Sequence, residues 1–461
     1  MKQKTTKGIF ILATILFTAT SCSVEKRLSS PELSIPDSMP GRTESDSLCF
    51  ADIQWSCLIT DSLLSNLITE ALENNKDLLT AASRVEELQK LYRVEQSGWY
   101  PSLGARAYVD RETNEKSGKG FVEDVEVAAK LTLSWEADFF GRIRYSNKGA
   151  LAEYMKSIEG KRALQITLIA DIATAYFELV ALDNEADIIR KTIETRQENL
   201  RIAKLRFEGG LTTEIPYQQA KVSLADAAAL LPEIEKRIII KENEISFLTG
   251  RMPGEIERIG FDKQILYTES TPLGLPSDLI KRRPDVKAAE YALQSAMAKA
   301  GYAWADRFPR FTITLEGGFE NNGFAGFLTA PLTYVIGDLT APLFSFGKRK
   351  SKYEAAVAAY EGARLQYEKA VLTAFKEVSN SVAEYLSSKE NVILMNNLLE
   401  SSRKYVNLAA FQYINGYISY IDVLDAQRAY FNAQRTFSKA IRDEYICLIT
   451  LYKSLGGGWT L

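Results

Sequence analysis

Histidine is absent from all 461 residues, which removes the side chain that most often serves as a general base near neutral pH and as a metal ligand. Cysteine occurs four times and methionine six times. No group of residues has metal-ligand spacing, no glycine-rich loop reads as a phosphate cradle, and no nucleophile is paired with a base, so an enzyme is the weakest functional class. The scarcity of methionine and lack of histidine also speak against a dedicated copper or silver exporter. Charge of one sign is not in excess: 56 Lys and Arg stand against 59 Asp and Glu, net −3. Proline is missing from residues 345–412, where glycine occurs only at Gly347 and Gly362. At 1.5 Å per residue an unbroken helix there would be roughly 100 Å long, more than few globular domains can house.

What is present begins with one continuous apolar run, "GIFILATILFTATSC", behind Lys2, Lys4 and Lys7. It has the basic, apolar and small-residue order of a secretory signal and is short for a transmembrane helix. "ATSC" resembles a bacterial lipobox, which implies cleavage before Cys22, acyl chains on that cysteine, and, with Ser23 after it, sorting to the outer membrane. No other cofactor is expected. Loss of residues 1–21 takes three lysines and no acid, so the net charge becomes −6 and nucleic acid is an unpromising partner. Residues 29–47 are rich in Ser and Pro without periodicity and read as a tether within an N-terminal segment of 22–60. Cys49 and Cys57 are spaced so that they could pair in an oxidising compartment, a pairing the sequence leaves open, while Cys447 lies on an apolar helix and is expected to be buried.

The body is duplicated. An offset of 206 residues carries Gly141 to Gly347, Gly210 to Gly416, Ala220 to Ala426 and Gly250 to Gly456; an offset of 208 carries Asp77 to Asp285 and Pro101 to Pro309. A unit of about two hundred residues is too long for a solenoid repeat and reads as two halves, 61–270 and 271–461. Each half predicts a helix ending at Pro101 or Pro309, two strands around a loop, a very long helix to a "GG" or "NG" break, and a returning helix. Ile189, Ile193, Arg196, Leu200, Ala203 and Phe207 alternate at spacings of four and three, as do Leu394, Leu398, Ser401, Tyr405 and Leu408. Both rows read as coiled-coil seams and as core.

The strands, expected at about 103–112, 125–135, 311–320 and 330–340, carry a period of two. Val125, Val127, Ala129, Leu131, Leu133 and Trp135 alternate with Glu126, Ala128, Lys130, Thr132, Ser134 and Glu136. That length suits a tilted strand crossing a bilayer with its apolar set toward lipid. Four strands per chain are too few to close a barrel and lipid tolerates no open edge, so the barrel must be shared among chains. Residues 114–124 and 321–327 are the expected external loops. The fold class is mainly α with a small β part.

"LPSDLIKRRPDVKAAEYAL", "SWEADFFGR", "FKEVSNSVAEYL" and "LYKSLGGGW" resemble the TolC superfamily of outer-membrane efflux proteins, in its NodT-like lipoprotein branch, over nearly all of the chain from about residue 60. The resemblance implies a homotrimeric duct in the bacterial outer membrane, embedded in its lipid. Three sets of four strands would form a 12-stranded barrel, continued by a long helical coiled-coil tunnel with a large periplasmic portion. It further implies a periplasmic adaptor and an inner-membrane RND transporter as partners.

"LPSDLI" places Pro276, Ser277 and Asp278 at a helix start, and Asp285 beside Arg282 and Arg283 reads as a cap at a structural turn. Gly210 and Gly416 give the backbone freedom of tight helix-to-helix turns, with Thr212 or Thr213 and Ser419 placed to cap the returning helices. The resemblance makes Gly209, Gly210, Leu211, Thr212, Gly416, Tyr417 and Ser419 the adaptor-binding tips. Asp422 and Asp425, three apart on one helix face, resemble the family's periplasmic constriction, with Tyr413 at the position of a gate tyrosine. In the better-known members an acid on the first returning helix bonds that tyrosine and a basic residue past the second tip adds a bond; here those positions hold Pro216 and Ile418. A gate held by packing is therefore expected. An exit duct for protein secretion would use the same fold, and a lipid-anchored coiled-coil tether is the rival of another class, against which the alternating strands argue. A passive duct leaves its cargo unnamed.

Cys22→Ala is expected to abolish metabolic labelling with palmitate and to slow maturation of the precursor; unchanged labelling would remove the lipid anchor from this reading.

Overall fold

The computed structural model describes residues 28, 50, 54–55, 59, 61–116, 120–261 and 280–457. The signal segment, Cys22, Cys49, Cys57, the tether and the expected cap at Pro276, Ser277 and Asp278 lie outside the described residues. Among the described residues the order is α1 (Ser62–Asn74), α2 (Lys76–Ser97), β1 (Ser102–Lys116), β2 (Gly120–Ala137), α3 (Arg142–Glu208) and α4 (Glu214–Thr249), then α5 (Pro284–Ala305), β3 (Arg310–Asn321), β4 (Pro331–Thr340), α6 (Lys348–Ile414) and α7 (Tyr420–Ser454).

Both ends of α6 lie 206 residues after those of α3, each helix having 67 residues, and both ends of α5 lie 208 after those of α2. The duplicated glycines explain the ends. Gly210, Gly416, Gly250 and Gly456 have φ of 69°, 79°, 77° and 81°. After each, the next N–H reaches back to a carbonyl five residues earlier: Leu211 to Arg206, Tyr417 to Gln412, Arg251 to Ser246, Gly457 to Tyr452. This is the Schellman ending, which a left-handed residue at that position makes possible.

The described residues pack as two compact units that do not follow the halves: one draws on 1–33, 84–158 and 288–369, the other on 34–83, 159–287 and 370–461. The first holds an antiparallel sheet in the order β1-β2-β3-β4. Its register sets Val127, Leu131, Leu133 and Trp135 on the same face as Ile313 and Leu315. Leu131, Leu133, Trp135, Ile313 and Leu315 are all exposed. The opposite face is polar and bonded: Lys130 reaches Glu320 at 2.5 Å and Tyr108 donates to Glu126 at 2.5 Å. Gly318 is needed where β3 meets β2, since a Cβ would lie 2.1 Å from the Ala129 carbonyl oxygen. The hairpin between β1 and β2 closes from Lys116 to Gly120, so the loop expected over 114–124 is mostly strand. The apolar alternation stops before the backbone ladder does. After β2, Glu136 pairs with Arg142 through two bonds of 2.9 and 2.6 Å. Asp138 accepts from the N–H groups of Ile143 and Arg144, capping α3.

In the second unit each half secures its helix return in the same place. Asn75, buried, donates to the Leu248 carbonyl at 2.8 Å. Arg283, its counterpart at 208, donates to the Ser454 carbonyl at 3.0 Å, and Ser454 is the counterpart of Leu248 at 206. Arg283 is buried and also pairs with Asp285 at 2.7 Å and Glu377 at 2.5 Å. Asp285 thus serves the guanidinium, where a backbone cap was expected. Gly456 packs on the same arginine, leaving only 3.2 Å between a Cβ and its Cγ. The motifs "RRPD" and "LYKSLGG" are therefore two sides of one joint.

The seams divide. Ile189 and Ala203 are buried, and Ile189 clusters with Leu182, Ile234 and Phe431. Leu394, Leu398, Tyr405 and Leu408, also expected as core, are exposed, because no side chains among the described residues cover that face of α6.

Gly250→Ala is expected to destabilise more than Gly210→Ala in thermal melts of the purified protein. Both force an alanine into a left-handed conformation at about 1–2 kcal/mol, but only at Gly250 would the Cβ also meet a backbone oxygen, that of Asn74 at 2.4 Å.

Candidate functional site

The two turns that end α3 and α6 collect most of the residues singled out in the sequence. At the first, Gly209, Gly210 and Leu211 form the Schellman turn, with Leu211 pointing out at 73% exposure. Thr213 stands at the start of α4 but its side chain makes no capping bond, and the Thr212 hydroxyl is buried without a partner. Neither threonine caps the returning helix. Glu214 in the first turn complements the helix dipole in their place and accepts from Gln218 at 2.8 Å.

At the second turn Gly416 and Tyr417 repeat the geometry, and Tyr417 is 78% exposed. Ser419 begins α7. Asp422 accepts from the Ser419 N–H at 2.9 Å and from its hydroxyl at 2.8 Å, and the two residues hold the N-cap and third positions of a capping box. This is one employment for the first of the paired acids. The second, Asp425, accepts from the Tyr405 hydroxyl at 3.3 Å. Partial loss of hydration, then the Asp425 charge, pushes the hydroxyl of the exposed Tyr405 above its ordinary value. Both carboxylates remain exposed on one side of α7.

Tyr413 is half-buried. Its ring lies 5.4 Å from that of Tyr420 and 4.9 Å beneath the Arg206 guanidinium. Tyr420 is buried and pushed up to about 12 by that burial, with Tyr413 adding to the rise. Ala203, Ala220, Tyr420 and Val423 form a small core, against which Leu200, Tyr413 and Ile418 pack. Ile418, where a basic residue would stand in a charge-assisted lock, is thus a packing residue. Pro216 offers Tyr413 no side-chain acceptor.

Two arginines were missed as members of the site. Arg206 covers Tyr413. Arg196 donates to the Ser223 carbonyl at 2.5 Å and lies 5.8 Å over the Phe431 ring, while its Nε is buried without a partner. Burial holds its guanidinium below the ordinary value. With Asp226, Asp425 and Arg428 it lines a cavity of about 780 Å³ between α4 and α7. For Arg196 the signal is a cation in an apolar seam, visible in the four-three spacing; Arg206 lies outside that row. Among the described residues no three of His, Cys, Asp and Glu converge as metal ligands would. The arrangement suits a charged opening and a partner surface.

The family described as "Outer membrane efflux protein" matches residues 67–251 and 275–457. The toluene efflux pump outer membrane protein TtgF of Pseudomonas putida is 31% identical over 417 residues, covering 89% of this chain and 86% of that one. The probable outer membrane lipoprotein SilC of Salmonella typhimurium is 27% identical over 412 residues, with 89% of each covered. The open state of the MtrE outer membrane channel of Neisseria gonorrhoeae superposes with a TM-score of 0.86 at 27% identity, over 95% of this chain and 99% of that one.

Asp422→Ala is expected to lower stability by about 0.5–1 kcal/mol through loss of the capping box, and Ser419→Ala combined with it should add little. Additive losses in a double-mutant cycle of chemical denaturation would show the two side chains to act separately.

Proposed function

The chain belongs to the outer membrane efflux protein family, and from that premise we infer that it is the exit duct of a tripartite RND-type pump, passing drugs or other small molecules across the periplasm and outer membrane. The observation that carries the reading is the sheet. Its apolar face is exposed, and among the described residues β1 and β4 each have one unpaired edge. Lipid admits no open edge, so copies must close it, and three copies give an even, closed barrel of twelve strands. The exposed row of Leu394, Leu398, Tyr405 and Leu408 is a second surface that the same assembly buries.

The exposed Leu211 and Tyr417 support the turns as the contact for a periplasmic adaptor, with Gly209, Gly210, Thr212, Gly416 and Ser419 forming the backbone around them. Asp422 and Asp425 from three chains place six carboxylates around one narrow opening. Capping does not consume the charge of Asp422, since an ionised carboxylate accepts several bonds at once. Such a ring favours cations. The names of the relatives, efflux pump proteins, support efflux over protein secretion.

The mature protein in detergent is expected to have the mass of three chains, about 150 kDa from 51.6 kDa each less the signal segments. In planar bilayers Asp422→Ala with Asp425→Ala should reduce cation preference and weaken block by multivalent cations while the closed-state leak stays nearly constant. Tyr413→Phe should change little. A monomer that conducts would overturn the shared barrel, and opening to large antibiotics by Tyr413→Phe alone would overturn a gate held by packing.

A further inference from the structure

In the second unit, away from both turns, α3, α4 and α7 line a cavity of about 260 Å³. Five cations border it: Arg237 and Lys241 on α4, and Arg435, Lys439 and Arg442 on α7. They sit at helical spacings of three and four, so each helix turns one basic face toward the cleft. Only two acids, Glu178 and Glu185 on α3, share the lining. Lys241 is taken by Glu178 at 2.8 Å and Glu244 at 2.6 Å, Arg435 by Glu185 at 2.6 Å, and Arg442 by Asp443 at 2.7 Å. Arg237 and Lys439 have no carboxylate in ion-pair reach among the described residues, in a chain whose net charge is negative.

The duplication shows which of these cations belong to the repeated pattern. At the 206-residue offset Arg237 corresponds to Asp443, Lys241 to Cys447, Arg435 to Ala229 and Lys439 to Glu233. Arg442 keeps a cation at its counterpart, Lys236, so four of the five cations are not repeated at the equivalent positions of the other half.

We propose that this cleft binds an oxyanion, the phosphate or carboxylate of a small periplasmic solute, between Arg237 and Lys439 with Arg442 alongside. Arginine's planar fork and the lysine ammonium both match such a group. The cavity is smaller than the roughly 300–1,000 Å³ of sites that enclose a drug-sized ligand, so it takes an anionic headgroup and not the cargo. The inference is independent of the gate and of the partners proposed above.

The test is calorimetric titration of pyrophosphate, and separately of citrate, into the full-length protein in detergent at constant ionic strength. Saturable binding with Kd below about 1 mM is expected. Arg237→Gln with Lys439→Gln should weaken it about tenfold or more, and the charge-keeping pair Arg237→Lys with Lys439→Arg should restore most of it. Preference for pyrophosphate assigns the site to phosphates and preference for citrate to carboxylates. No saturable binding by the natural sequence, or equal binding by the glutamine variant, would overturn the proposal; oligomer mass and melting temperature report that each variant is folded.

Discussion

Every reversal of the long helices depends on a backbone that turns left-handed at one residue. Gly210 and Gly416 end the 67-residue helices, and Gly250 and Gly456 end the helices that return. An α-helix leaves its last carbonyls without partners, and in a hairpin of helices those carbonyls lie where the neighbouring chain must pass. The Schellman bonds satisfy them within the turn itself. At Gly250 and Gly456 the missing side chain matters twice, because Asn74 and Arg283 approach the space a Cβ would fill. The paired contacts from Asn75 to Leu248 and from Arg283 to Ser454 then tie the end of each returning helix back to the start of an earlier helix of the same half, α2 or α5. The two halves solve one geometric problem with different side chains, an amide in the first and a guanidinium with two carboxylates in the second.

How much of this was legible follows from which signals are local. Helix ends were readable because glycine and proline act on the backbone where they stand, and the 206-residue offset reproduces both ends of α3 in α6. Strand lengths were under-read at the β1–β2 hairpin, since a period of two marks the apolar band and the hydrogen-bond ladder continues past it to Lys116. The α6 row was read as core because a four-three spacing reports that a face is buried and does not say in whose company; in this chain Leu394 and Leu408 are exposed. Asp422 was read for its charge alone, although Ser419 three residues before it is the sequence form of a capping box. Arg196 reads in the sequence only as a member of the seam, and Arg206 lies outside that row, beside Phe207, so the spacing carries no sign of its contact with Tyr413.

These details bear on how the proposed opening would work. Asp422 is fixed by bonds to Ser419 at the start of α7, so its charge is placed by the helix terminus and not by a flexible side chain. Tyr413, Tyr420, Ile418 and Val423 form an apolar cluster immediately behind it. Rearranging the turn would expose that cluster, and in the proposed gate its burial would be the resistance to opening that the chain itself supplies. In the proposed gate the charge would select and the packing would resist, through different atoms of the same two turns.

The edges of β1 and β4, unpaired among the described residues, have a kinetic meaning. A sheet whose hydrogen bonds close only against other copies cannot finish folding in one molecule, so the membrane-embedded state is reached through encounters whose rate rises with more than the first power of chain concentration. Until then the apolar face carrying Leu131, Leu133 and Trp135 is presented to water beside open strand edges. Dilution, which protects most folding chains from aggregation, would here also withhold the partners that end the hazard.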